Sequence, residues 1–117
     1  MSQDDVDCSK ATNQHEMNAC ASKDFDTADK DLNQTYQAIL AKYKDNDTFL
    51  ANLRKAQKAW IAFRDAELDA RFPLAAGQSP NVEYGSMYSM CYFGAKAELT
   101  RQRTAQLKDM LKNGPGC

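Results

Sequence analysis

Along the first third of the chain the apolar side chains return at steps of four and three. Met17, Ala21, Phe25, Ala28, Leu32, Tyr36, Ile39 and Tyr43 follow this rhythm, and no Gly or Pro interrupts it. Side chains so spaced share one face of an α-helix. The spacing predicts a long first helix over about residues 12–44. Thr12 or Asn13 is placed to cap it, and Glu16 lies in the first turn, where negative charge suits the helix dipole. Lys44-Asp45-Asn46-Asp47-Thr48 then reads as a turn, with Asp47 or Thr48 capping a second helix over 47–72. Its apolar stripe is Phe49, Leu53, Ala56, Trp60 and Phe63, and Pro73 stops it by driving Phe72 out of the helical region. A loop over 73–85 holds two of the three prolines and two of the five glycines. A third helix is expected over about 84–112, starting at Tyr84 or Met87 and running through Tyr88, Cys91, Tyr92, Ala95, Leu99, Leu107, Met110 and Leu111, closed by Asn113-Gly114-Pro115.

This pattern predicts an all-α fold, an antiparallel three-helix bundle running up, down and up. The helical domain spans 12–113, preceded by a polar, acidic arm at 1–11 and followed by a tail at 114–117. A chain of 117 residues supports one such core and not two. Its 15 basic and 16 acidic side chains leave a net charge of −1, which lacks the basic footprint of a nucleic-acid binder. The longest apolar runs fall far short of the ~20 residues of a membrane span. Met1-Ser2-Gln3-Asp4-Asp5 has no apolar core of a leader either.

The four cysteines, Cys8, Cys20, Cys91 and Cys117, show no Cys-x-x-Cys pattern, and with one histidine a zinc site is not expected. Disulfides are the favoured reading, and with them a mature exported chain. Cys20 and Cys91 fall at similar heights on two helices that rise from the same end. Cys8 can fold back to either, so both Cys8–Cys20 and Cys8–Cys91 are open. Cys117 lies beyond the far end, roughly 30 Å from Cys91 along a continuous helix. Pairing those two would need the third helix broken, with Gly94 the obvious place. Cys117 is otherwise free or bridges two molecules.

The stretch Ala56 to Glu67 holds the only tryptophan, and Gln57, Trp60 and Arg64 form one row on its helix. These residues suit either a recognition surface or an interhelical network in which Gln57 and Arg64 bond to Asp29, Asn33 or groups near Arg103. Matching polar residues on the inner edge of every helix favour the network, with Trp60 packed into the bundle. The 73–85 loop and the helix start beside it carry Ser79, Asn81, Tyr84, Ser86 and Tyr88, polar and aromatic groups suited to an adaptable contact surface. Asp4, Asp5, Asp7, Asp24, Asp26, Asp29 and Asp31 form an acidic set that reads first as solvated helix surface and second as steering for a cationic partner. No nucleophile–base pair or phosphate-cradling loop is visible. The chain is read as a non-enzyme that takes no metal or cofactor.

Several blocks resemble one family when taken together. Asp7-Cys8 with Glu16-Met17-Asn18-Ala19-Cys20, then Ala28-Asp29, Leu32-Asn33 and Tyr36, are similar to the first helix of the LprI-type lysozyme-inhibitor domain. Ala56-Gln57-Lys58-Ala59-Trp60-Ile61 with Phe63-Arg64-Asp65-Ala66-Glu67 resembles its central signature. Gly85-Ser86-Met87-Tyr88, Leu99-Thr100, Arg103 and Leu107 resemble its closing helix. The chain departs from the family where Leu68 and Ala95 stand in place of two cysteines, which leaves the Cys8–Cys20 pair. The resemblance makes Asp29, Asn33, Gln57, Trp60, Arg64, Glu67 and Arg103 its structural signature. It implies an exported protein, periplasmic or secreted, that inhibits lysozyme by covering its cleft. In that reading Ser79, Asn81, Tyr84, Ser86 and Tyr88 are the contact residues. The alternative is an envelope interaction or scaffolding module, including a homodimer.

Overall fold

The computed structural model describes residues 7–117, so most of the expected 1–11 arm, Asp4 and Asp5 included, lies outside the described residues. A short 3-10 turn at Cys8–Lys10 precedes four helices: α1 (Gln14–Lys42), α2 (Asp47–Arg71), α3 (Pro80–Tyr84) and α4 (Tyr88–Asn113). No strand occurs among the described residues.

Local chemistry accounts for the helix ends. Asn13 Oδ1 accepts the Glu16 N–H at 2.8 Å while Asn13 Nδ2 donates to Glu16 Oε1 at 2.7 Å, a reciprocal cap on α1. For α2 the cap is Asn46, not Asp47 or Thr48: Asn46 Oδ1 accepts the Phe49 N–H at 3.1 Å. Asp47 thereby enters the first turn and places its carboxylate at the positive end of the dipole. Of the two starts open for the third helix, Tyr84 and Met87, the later one matches α4, whose N-cap is Met87. Gly85, at φ +77°, ends α3 after Tyr84, and a turn intervenes before α4 begins at Tyr88.

Helices α1 and α4 make the closest pairing in the molecule. Their facing positions are small: Ala28, Thr35, Ala97, Thr100 and Thr104 are all buried. Each buried hydroxyl turns back on its own helix, Thr35 to the Asp31 carbonyl at 2.8 Å, Thr100 to Lys96 at 2.7 Å and Thr104 to Thr100 at 3.0 Å. The donors are satisfied internally, so the methyl sides can meet the opposite helix without stranding a polar group. Cross-contacts advance together along the pair. Asp24 meets Arg101 at 2.9 Å, Asp31 meets Lys108 at 3.2 Å, and Lys42 donates to the Leu111 carbonyl at 2.8 Å. The two helices therefore run in the same sense.

α2 runs the other way and stands further off. Its start meets the end of α1 through Phe49 and Tyr43, and its end brings Phe72 to Tyr88 of α4. Leu50, Leu53, Gln57 and Leu68 are its buried residues, and Trp60 packs partly buried against the cluster of Leu32, Ile39, Leu53 and Leu107. Full burial of each such aliphatic side chain contributes about 1.5–3 kcal/mol. Phe63, expected on the inner stripe, is 56% exposed, and Ala56 is exposed too. The inner row is Leu53, Gln57, Trp60, Arg64 and Leu68, and a neighbouring position is turned about 100° from it.

Cys8 and Cys20 form a disulfide with Cα atoms 5.7 Å apart, while Cys91 and Cys117 are free. α4 is continuous through Gly94, so the break that a Cys91–Cys117 bond would require does not occur. Leu68 is only 1% exposed and packs into the interior of the bundle.

Candidate partner-binding site

The chain between α2 and α4 folds into a tied knuckle. Phe72 sits edge-on to Tyr84 and Tyr88, with ring centres 5.8 Å away in both cases, and 6.2 Å from Tyr92. The Tyr84 hydroxyl donates to the Pro73 carbonyl at 2.6 Å, closing the loop on itself. Inside it, Gln78 Oε1 accepts the Ala75 N–H at 2.7 Å.

α1 holds the other side through Asn18. Its Nδ2 donates to the Ser86 carbonyl at 2.9 Å, and its Oδ1 accepts the Met90 N–H at 3.1 Å. The N-cap of α4 is Met87, which has no capping side chain, so Asn18 satisfies a first-turn N–H from a different helix. Gln14 Nε2 donates to the same Asn18 Oδ1 at 2.8 Å. Asn18 was not among the expected site residues. Its signal, an Asn inside an otherwise ordinary helical heptad, has meaning only once a second helix end is known to lie opposite.

Of the five expected contact residues, Ser79, Asn81 and Ser86 are exposed on this knuckle. Tyr84 and Tyr88 are half-buried in the ring stack, and the Tyr84 hydroxyl is already engaged. Apolar neighbours complete the surface: Val82 is 84% exposed, Met87 49% and Leu74 38%. Below it, burial raises the Tyr92 phenol pKa above its ordinary value, with the Tyr88 charge adding to the effect and Arg64 opposing it.

The central signature divides into two parts. Arg103, 8% exposed, donates from Nε to Gln57 Oε1 at 3.0 Å and from Nη1 to Gln106 Oε1 at 3.0 Å. Its Nη2 is buried without an acceptor among the described residues, and burial pushes the guanidinium pKa down. Arg64, its side chain 11% exposed, lies 5.2 Å from the Trp60 ring and 5.9 Å from that of Phe25. The carboxylate partner of Arg64 is Asp65, at 3.2 Å, not Asp29. Glu67 pairs along its own helix with Arg71 at 3.4 Å, and Asp29 accepts from Asn33 Nδ2 at 3.4 Å. Arg64 and Asp29 nonetheless share a groove of about 390 Å³ between α1 and α2, with Asn33 and Gln57. Their common location is a concave surface and not a bonded network.

Three of the described members of the acidic set are engaged by neighbours. Asp7 caps the 3-10 turn, Asp24 binds Arg101 and Asp31 binds Lys108. Among the described residues no group of three or more His, Cys, Asp or Glu is arranged to hold a metal, and no helix is long and apolar enough to cross a membrane.

These features define a small, disulfide-pinned helical domain built on a Gln–Trp–Arg row, with an exposed, hydrogen-bonded knuckle at one end. Residues 7–107 match the family described as lysozyme inhibitor LprI, and the chain belongs to that family. It is a family of inhibitors and not of enzymes. A protein of Rhizobium meliloti (strain 1021), described as uncharacterized, is 37% identical over 122 residues, covering 95% of this chain and 83% of that protein. No solved structure matches the chain.

Proposed function

We propose that the protein is exported and binds lysozyme, covering the active-site cleft with the knuckle formed by α3 and the start of α4. Family membership supports the target. The Cys8–Cys20 bond supports a periplasmic or secreted location, where such bonds persist. The observation that carries the contact face is Val82, 84% exposed on a short helix whose flanks are tied down by Tyr84 and Asn18. A convex apolar tip held in one conformation loses little freedom on entering a concave cleft. Glycosidase clefts of this kind work through two carboxylates. Ser79, Asn81 and Ser86, together with backbone N–H groups, are the donors at hand. Inhibition by occlusion asks for no catalytic group, cofactor or metal.

The test is lysozyme-driven lysis of a cell-wall suspension with a molar excess of the protein. The wild type should slow lysis, and Val82→Asp should do so only at about ten times the concentration. Unchanged lysis with wild-type protein at low salt would sink the proposal. The exposed, free Cys117 favours a second reading, a disulfide-linked homodimer serving as an envelope interaction module. A single monomeric band on a non-reducing gel of air-oxidised protein would remove it.

A further inference from the structure

The groove between α1 and α2 has a charge pattern that the knuckle does not use. Three cations, Arg54, Lys58 and Arg64, face one carboxylate, Asp29, in a chain whose net charge is −1. Arg64 is already paired with Asp65 and stacked on rings. Arg54 and Lys58 are exposed, and neither has an acidic partner among the described residues. They lie four apart on one helix, where like charges repel. Behind them Gln57, which also lines the groove, is held by Arg103, a buried guanidinium whose Nη2 lacks an acceptor. The same groove has an apolar side made of Leu32, Tyr36 and Ile61, the last 41% exposed.

We propose that this groove docks a carboxylate-rich segment of a partner protein, with acidic side chains paired to Arg54 and Lys58 and apolar ones laid against Tyr36 and Ile61. The positive excess selects an anion, and the apolar side selects a polypeptide over a purely anionic polymer. Asn33, which is exposed, offers an amide group to the backbone of such a segment. The site is separate from the knuckle in sequence and does not depend on lysozyme being the knuckle's target.

The experiment measures fluorescence anisotropy of a short fluorescein-labelled peptide of alternating glutamate and leucine, titrated with the full chain. Saturable binding is expected, weakening as salt screens the charges. Arg54→Glu/Lys58→Glu should weaken it by about tenfold or more. Both positions are exposed, and circular dichroism verifies that the helices persist. A peptide with glutamine for glutamate should bind less tightly in proportion.

Absence of binding, or equal binding by the charge-reversed variant, overturns the proposal. Inorganic polyphosphate competing as well as the acidic peptide overturns it in favour of a general anion surface. Lysozyme binding lost in Arg54→Glu/Lys58→Glu but kept in Val82→Asp overturns it in favour of lysozyme as the groove's occupant. A change in sedimentation of the unliganded protein on charge reversal overturns it in favour of a second copy of this chain. Retained lysozyme inhibition in the groove variant, alongside lost peptide binding, supports it.

Discussion

Arg103 donates from Nε to Gln57 Oε1 at 3.0 Å across the boundary between α4 and α2, with no carboxylate paired to it among the described residues. A neutral amide is thus the main interhelical partner of a buried cation. Removing the amide alone leaves the buried Nε–H without its acceptor, while Nη1 keeps Gln106, and a stranded donor of this kind costs about 1–3 kcal/mol. Gln57→Leu should therefore destabilise by that amount. Gln57→Leu/Arg103→Met should recover most of the loss, because apolar groups of similar volume often replace buried ionic ones at no net cost. Urea midpoints of the four members of this double-mutant cycle supply the test. A double mutant weaker than Gln57→Leu would mean that the bond, and not relief of desolvation, dominates.

Asn18 joins α1 to the first turn of α4, accepting from Met90 N–H and donating to the Ser86 carbonyl. Asn18→Ala removes a cap and a loop anchor together, so a loss of about 1–2 kcal/mol is expected. Hydrogen exchange should speed up at residues 86–90 while the amides around Ile39 and Leu107 keep their protection. Uniform loss of protection through the whole bundle would show that Asn18 supports the core and not the knuckle.

These two residues mark what the sequence discloses and what it withholds. The rhythm from Met17 to Tyr43 predicts α1, because burial on one face enforces a period that propensity alone does not. The Trp60 row is visible for the same reason. Phe63 misleads because a large apolar residue beside that row looks as fit for burial as Trp60, and only the position of α2 against α1 and α4 decides between them. Arg64 reaches α1 through the Phe25 ring, but its carboxylate partner is Asp65 and not Asp29, since spacing gives a side chain's direction but not its competitors. The Asn18 contact depends on tertiary geometry, so local patterns could not signal it, whereas the break between α3 and α4 has a local cause in Gly85 at φ +77°. Of the candidate contact residues, exposure distinguishes Ser79, Asn81 and Ser86 from Tyr84 and Tyr88, a division invisible in their chemistry.

Two glycines in or beside α4 should respond oppositely to the same substitution. Gly94 lies within the helix, and a Cβ added there meets nothing within 4 Å. Gly94→Ala should stabilise by about 0.8–1 kcal/mol through helix propensity. Gly114 caps the helix at φ +72°, where a Cβ would stand 2.8 Å from the Tyr43 hydroxyl oxygen. That hydroxyl is engaged with the Leu111 carbonyl at 3.3 Å, so its displacement loosens the end of α1 as well. Gly114→Ala should lower stability by more than about 1 kcal/mol. Thermal melts moving in the same direction for both would contradict this account.

Tyr92 gives the fold an alkaline limit. Its phenol pKa is raised above the ordinary 10.0 by burial first, then by the Tyr88 and Asp65 charges, with Arg64 acting the other way. The folded protein therefore holds this proton more tightly than the unfolded chain. Between the two values the unfolded state has lost a proton that the native state keeps, so stability falls as pH rises. The stabilisation is complete below the unfolded value and is lost as pH climbs through the folded one. Tyr92→Phe should remove this component, giving a flatter dependence of the urea midpoint from about pH 9.5 upward. The comparison belongs in a Cys91→Ser/Cys117→Ser background, because alkaline thiolates would otherwise attack the Cys8–Cys20 bond. Absorbance at the tyrosinate band, followed through the same titration, should lose its latest-titrating ring in Tyr92→Phe. If the latest ring persists, the burial around Phe72 and Tyr88 is protecting a different tyrosine.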